Sequence, residues 1–146
     1  MIWLLRHADA APGQPDEARP LTRKGERQAR AAGLALARLG VRLDACLTSP
    51  RVRALETARL ACEPLGLSPI VTPELDGDPF EAERLAAGLG EVLLIGHNPS
   101  MQQSLHDLTG ARARLRKGAV AAVAERELEL LLGPAELAAI AGEPSR

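Results

Sequence analysis

A chain of 146 residues, 46% apolar and 25% charged, is long enough to build one ordinary core and too apolar for a disordered segment. Its 18 basic and 19 acidic residues leave a net charge of −1, so no overall field draws it to nucleic acid or to a membrane surface. Trp3 and Phe80 are the only aromatic residues, which gives base stacking no platform and makes the core aliphatic.

Residues 1–146 read as one domain that stays in the cytoplasm. The apolar start, residues 1–5, is cut off by Arg6 and is too short for a signal-peptide core or a membrane span. Cys46 and Cys62 fall in an apolar and a helical stretch of a chain able to form its own core, and are expected to be reduced, buried thiols.

In chain order, residues 2–5 read as a buried strand that delivers Arg6 and His7 to its C-terminal edge. Residues 8–20 carry Pro, Gly and Asp with no apolar period and form a loop. Thr22 is the expected N-cap of a helix whose Ala29, Ala32, Leu36 and Leu39 share a face, with Gly40 as its stop. Residues 43–48 form a second strand. Ser49-Pro50 then offers an N-cap followed by Pro at the first helical position, opening a helix through about residue 61.

A weaker strand at 69–72, a loop with Pro73, Gly77 and Pro79, and a short helix around 81–87 follow. Residues 91–95 are the clearest buried strand, and Gly96-His97-Asn98-Pro99 turns it into a helix with Met101, Leu105 and Leu108 on one face. Segments 119–123 and 128–132 flank Glu125-Arg126-Glu127 and predict an antiparallel hairpin, closed by a helix at 134–140. The alternation predicts an α/β fold, a three-layer α/β/α sandwich with a mostly parallel central sheet, whose ligands bind beyond the strands' carboxyl ends. Arg6, His7, Ser49, Arg53 and His97 all fall at those ends.

A dianionic phosphoryl group needs positive charge and directional donors, and Arg6 and Arg53 supply planar forks suited to two oxygens at once. His7 can attack phosphorus only as the neutral imidazole, which nearby arginines favour by penalising a second positive charge. His97 has the complementary task of donating a hydrogen bond to phosphoryl oxygens, so the two histidines are expected to titrate differently.

The residues Leu4-Leu5-Arg6-His7-Ala8-Asp9-Ala10, then Asp16, Arg19-Pro20-Leu21-Thr22 and Gly25, then Leu47-Thr48-Ser49-Pro50 through Arg53, Glu56 and Thr57, then Gly96-His97-Asn98-Pro99, stand in a telling order. In them the chain resembles the histidine phosphatase superfamily, in particular its small bacterial phosphohistidine phosphatases. Lys117-Gly118-Ala119-Val120 is similar to that family's later strand. The resemblance implies a phosphoglycerate mutase-like fold with His7 as nucleophile. It implies that Arg6, Arg53 and His97 bind the transferring phosphoryl, that Arg19 and Asn98 contact substrate, and that Asp16 orients it. Ala8 stands where many relatives have Gly, and Glu56 where Gln is common.

The larger mutase and sugar-phosphatase relatives carry a helical insertion supplying an acid to the leaving oxygen, for which this chain has little room. That favours the compact phosphohistidine branch, since a departing imidazole needs a strong acid less than an alkoxide does. Glu74 is the candidate proton donor, with a solvated carboxylate as the plain alternative. A surface ion pair is the plain alternative for Arg19 and Asp16.

The expected substrate is a phosphorylated protein or a small phosphate ester, with no metal or organic cofactor. A small-molecule phosphomonoesterase and a non-catalytic phosphate-binding module are the rival readings. No nucleophilic serine elbow or His-Glu metal motif is present. His106, nine positions after His97 on one helix, is rotated by roughly 180° from it and is not expected to share a metal. Arg112, Arg114, Arg116 and Lys117 form a basic edge, either merely solvated or able to dock an acidic partner.

Overall fold

The computed structural model describes residues 1–142. The chain runs through β1 (Ile2–Arg6), α1 (Arg23–Arg38), β2 (Ala45–Thr48), α2 (Val52–Cys62), β3 (Ile70–Val71), α3 (Ala82–Ala86) and β4 (Val92–Gly96). It continues through α4 (Ser100–Thr109), β5 (Val120–Ala124), β6 (Glu127–Leu132) and α5 (Pro134–Ala141). One six-stranded sheet has the order β3-β2-β4-β1-β5-β6. The four strands β3, β2, β4 and β1 are mutually parallel, while β5 and β6 run antiparallel as a hairpin beside β1.

Strands covered on both faces are continuously apolar, and alternate residues belong to opposite layers. Trp3, Leu5, Cys46, Leu93, Ile95, Val120 and Ala122 face one way, into a core closed by Ala32, Ala35 and Leu36 of α1, Ala54 and Ala58 of α2, and Leu137 of α5. Leu4, Leu47, Val92, Leu94 and Ala121 face the other, against Ala82 and Ala86 of α3 and Met101, Leu105 and Leu108 of α4. Small alanines on α1 and α2 let these helices approach closely; a side chain at Gly33 would run into the Ala61 carbonyl. Cys46 and Cys62 are both free and buried in this layer.

The three layers and the C-terminal hairpin match the expected architecture. Thr22 does cap α1, its Oγ1 accepting from the Gly25 N–H at 3.0 Å. Two local readings need correction. Helix α2 begins at Val52, two residues later than Ser49-Pro50 implied, because the Ser49 hydroxyl closes a local turn by accepting from the Arg51 N–H at 3.1 Å. The weak strand at 69–72 shortens to Ile70–Val71, a sheet edge with both side chains more than half exposed. At the other end of the sheet, Glu125 and Arg126 take φ of 50° and 64°, the paired left-handed turn that a two-residue hairpin requires. Arg126 is held there by Glu83 Oε1 at 2.7 Å and the Asp107 carbonyl at 3.0 Å.

Candidate active site

Parallel strands β1, β2 and β4 end side by side, in the register Arg6 beside Gly96 and Thr48 beside Ile95. The residues that follow each strand therefore converge: His7 after β1, Ser49 after β2 and His97 after β4. The His7 N–H donates to the Gly96 carbonyl at 3.0 Å, extending the β1–β4 ladder by one residue. The carbonyls of Arg6 and His7 both accept from the Gly118 N–H, at 3.0 and 3.1 Å. His7 thus sits on backbone fixed from both sides. Its ring centroid lies 5.1 Å from that of His97, with a 52° tilt.

The two imidazoles differ in their bonds. His7 Nδ1 lies 2.8 Å from the Ala8 carbonyl oxygen, which can only accept, so Nδ1 carries the proton and Nε2 the lone pair. His97 Nε2 lies 2.7 Å from Ser49 Oγ. That oxygen accepts from Arg51 N–H and keeps one lone pair and its own proton; where it donates that proton to His97 Nε2, the His97 proton is on Nδ1. Ala8 is in turn held by its N–H donating to Thr57 Oγ1 at 3.0 Å, and Thr57 by donating to the Arg53 carbonyl at 2.7 Å.

Both histidines are buried, and burial is the main reason each stays neutral. His7 falls from 6.5 to about 3: desolvation dominates, the Ala8 hydrogen bond opposes it, and the charges of His97, Arg53 and Arg6 add to it. His97 falls to about 4 through desolvation and then Arg53 and Arg51, opposed by Asp76 and Asp16. The arginines lower both rings as expected, with burial as the larger cause.

Arg53 projects from the first turn of α2 and is 5% exposed. Its Nη1 donates to the Asp16 carbonyl at 2.9 Å and its Nη2 to Asp16 Oδ2 at 3.2 Å. Asp16 also takes Arg51 Nη1 at 2.6 Å and Arg19 Nε at 3.0 Å, so one carboxylate collects three guanidinium groups. Partial desolvation raises its affinity for a proton, but the bonds from Arg53 and Arg19 outweigh that and hold Asp16 below the usual carboxylate value. Arg51 had no place in the sequence reading. It also binds Asp76 Oδ1 at 2.8 Å and so ties the β1–α1 loop to the turn after β3.

Arg6 reaches the Leu115 carbonyl with Nη1 at 3.3 Å. Among the described residues, four buried side-chain polar atoms have no partner: Trp3 Nε1, Arg6 Nε, Arg53 Nε and His97 Nδ1. Three of these belong to the cluster at the strand ends. Unpaired buried N–H groups are costly, and such a concentration marks a place suited to an added acceptor.

The remaining candidates stand apart from the ring pair. Arg19 is tied down by Asp16 and by the Ala11 carbonyl at 3.3 Å. Asn98 spends its amide on Gln102 Oε1 at 3.0 Å and the Leu115 carbonyl at 2.9 Å. Glu74 is exposed on the 3-10 turn Pro73–Leu75, whereas Asp76, two residues on, is engaged with Arg51. No group of three or more His, Cys, Asp or Glu side chains among the described residues is arranged to hold a metal ion.

Two neutral histidines beside buried Arg53 and half-buried Arg6, at the carboxyl ends of parallel strands, define an α/β protein whose strand ends are suited to an anion. The chain belongs to the histidine phosphatase superfamily (branch 1), whose family model matches residues 2–77. An uncharacterized protein of Picosynechococcus is 35% identical over 158 residues, covering 91% of this chain and 96% of that one. The protein histidine phosphatase SixA complexed with tungstate superposes with a TM-score of 0.79 at 26% identity, covering 91% of this chain and 96% of SixA. A candidate phosphohistidine phosphatase SixA from Agrobacterium tumefaciens gives 0.77 at 25%, covering 91% and 97%. The alpha-ribazole phosphatase of Shigella flexneri shares the fold at 0.69 and 20% identity, covering 91% and 96%.

Proposed function

We propose that this protein is a phosphatase that hydrolyses phosphohistidine on protein substrates through a covalent phosphoryl intermediate on His7. The observation that carries this reading is the Nδ1–H bond from His7 to the Ala8 carbonyl, which orients a neutral ring with its lone pair on Nε2. In the first step Nε2 attacks phosphorus, the donor P–N bond breaks, and the donor imidazole leaves with that electron pair and takes a proton from solvent. In the second step water attacks the phosphoryl on His7, releasing inorganic phosphate and restoring the neutral ring.

Charge on the transferring group changes little in such a loose transition state, so catalysis is chiefly positioning and electrostatic stabilisation. Arg6, Arg53 and His97 Nδ1–H are assigned to the phosphoryl oxygens, with Arg19 and Asp16 as contacts at the rim. Asp16 holds Arg53 and Arg51, and Asn98 positions the segment that accepts from Arg6. Preference for a P–N bond is supported by the local carboxylates. Asp16 is held ionised and Asp76 is bound to Arg51, leaving exposed Glu74 as the candidate acid for an alkoxide that leaves poorly. The two SixA likenesses and the tungstate bound by one of them, a tetrahedral oxyanion, support the same reading.

The test is phosphate release from a phosphohistidine protein and from a panel of phosphate esters, with His7→Ala as control and EDTA present throughout. Turnover of phosphohistidine that is faster than that of any ester and absent in His7→Ala is the expected result. Faster ester turnover would move the substrate to a small phosphomonoester, and phosphate binding without turnover would leave a binding module.

A further inference from the structure

Arg112, Arg114, Arg116 and Lys117 are all exposed in the segment between α4 and β5. Residues 108–124 contain no Asp or Glu, so this is a local block of positive charge on a chain whose net charge is −1. Exposed arginines alternate with half-buried Ala113 and with Leu115, which is fully buried. The three arginine side chains are thus left in solvent while Ala113 and Leu115 pack inward.

The segment is fastened to the site. The Leu115 N–H donates to Gln102 Oε1 at 2.8 Å, and its carbonyl accepts from Arg6 Nη1 and Asn98 Nδ2. The Gly118 N–H bonds to the carbonyls of Arg6 and His7. Among the described residues none of the three arginines has a carboxylate within ion-pair distance, and Lys117 only approaches Asp9 at 3.8 Å. Elsewhere at the site, Arg19, Arg51 and Arg53 are paired. The strap is thus held in place by its backbone, while its three arginines carry no ion pair among the described residues at the rim of the phosphoryl site.

We infer that this strap docks the acidic surface of the protein that carries the phosphohistidine, and this inference rests on the function proposed above. A preformed row of cations beside the nucleophile raises the encounter rate with an acidic partner and orients it, while adding nothing to the chemical step. Nucleic acid is a poorer match, because the strap has no aromatic side chain on which bases could stack.

The experiment compares three probes: a phosphohistidine peptide flanked by Glu, the same peptide flanked by Lys, and free phosphohistidine. At low ionic strength the wild type is expected to favour the Glu peptide over the Lys peptide by about tenfold in kcat/KM, and to lose this preference in high salt. The variant R112Q/R114Q/R116Q should lose the preference at low salt and keep the wild-type rate on free phosphohistidine. R112E/R114E/R116E should invert the preference.

Equal use of both peptides by the wild type, or a preference that survives in the Gln variant, overturns the docking assignment. So does an equal fall on all three probes, since that places the strap in the phosphoryl site itself. If the wild type hydrolyses none of the three, the function proposed above has failed, which is a different result from hydrolysing all three alike.

Discussion

His7 donates its Nδ1–H to the carbonyl of the next residue, Ala8, at 2.8 Å. A ring held by its own backbone cannot easily rotate, and it has no need of a separate side chain to fix its tautomer. The bond places the reactive lone pair on Nε2 whatever happens at the rim of the site. Replacing His7 by Ala is therefore expected to lower kcat by at least about a thousandfold without unfolding the protein. Trapping labelled phosphoryl on the wild-type chain under acid-free quench, and its loss in the variant, checks the covalent step directly. Label retained in His7→Ala would assign the nucleophile elsewhere.

The pH dependence follows from the two depressed rings. His7 at about 3 and His97 at about 4 both lie below the ordinary value of 6.5. From pH 6.5 downward the unfolded chain takes up protons at these two positions that the folded chain refuses. The unfolded state binds more protons, so stability is complete above about pH 6.5 and is lost as pH falls toward 4 and then 3. Urea midpoints should drop between about pH 7.5 and pH 5, and drop less in His97→Asn. For activity, the acid limb of kcat/KM set by the free enzyme should lie below about pH 5. A limb near 6.5 would mean that the rings titrate as if solvated.

Much of this site was legible because its residues stand at strand ends. A buried apolar run followed by Arg6-His7, or by Gly96-His97, has one place to deliver those side chains. Arg51 was not legible. One more arginine at a helix start reads as a solvated charge, and only the fold brings Asp16 from the β1–α1 loop and Asp76 from beyond β3 to either side of it. Ser49 was read as a helix cap by its type and its following Pro. In the fold it bonds to His97, a partner 48 residues away that no local pattern contains.

Asp16 gathers Arg19, Arg51 and Arg53 on one carboxylate beside the proposed phosphoryl site. Asp16→Asn removes a negative charge next to the proposed anion site and loosens the orientation of buried Arg53. The two effects have opposite signs on binding and on turnover. Inorganic phosphate is expected to inhibit the variant several-fold more tightly while kcat falls by about tenfold. Weaker phosphate inhibition would show that Asp16 contributes to the anion site chiefly by shaping it, not by its charge.

Glu56 stands where the family commonly has Gln, and its environment explains why either residue serves. Its Oε1 accepts from the Leu21 N–H at 2.8 Å, a task that needs an amide or carboxylate oxygen and no charge. Glu56→Gln should shift stability by less than about 0.5 kcal/mol, whereas Glu56→Ala leaves the Leu21 N–H unpaired and should cost about 1–3 kcal/mol. Chemical denaturation of the two variants separates these cases. Equal losses in both would assign Glu56 an electrostatic role.

Gly25 tests how the first helix is seated against the site. It is the third residue of α1, where Ala would ordinarily gain about 1 kcal/mol of helix propensity over Gly. A side chain here, however, would run into the carbonyl of Asp9, two residues beyond His7. That carbonyl also accepts from the Thr22 N–H at 3.0 Å, so the helix start and the loop after β1 cannot separate without breaking a backbone bond. Overpacking against backbone outweighs the propensity gain, and Gly25→Ala is expected to be destabilised by about 1–3 kcal/mol. Because the obstructing atom lies on the loop that carries Ala8, kcat should fall as well, unlike in a substitution that only weakens the helix. Arg23→Gly, at an exposed position of the same turn, is the control: it should weaken α1 by about 1 kcal/mol and leave kcat unchanged. A Gly25→Ala protein with undiminished stability and turnover would mean that the loop yields freely, and that the Ala8 carbonyl is not fixed by the fold in the way argued for His7.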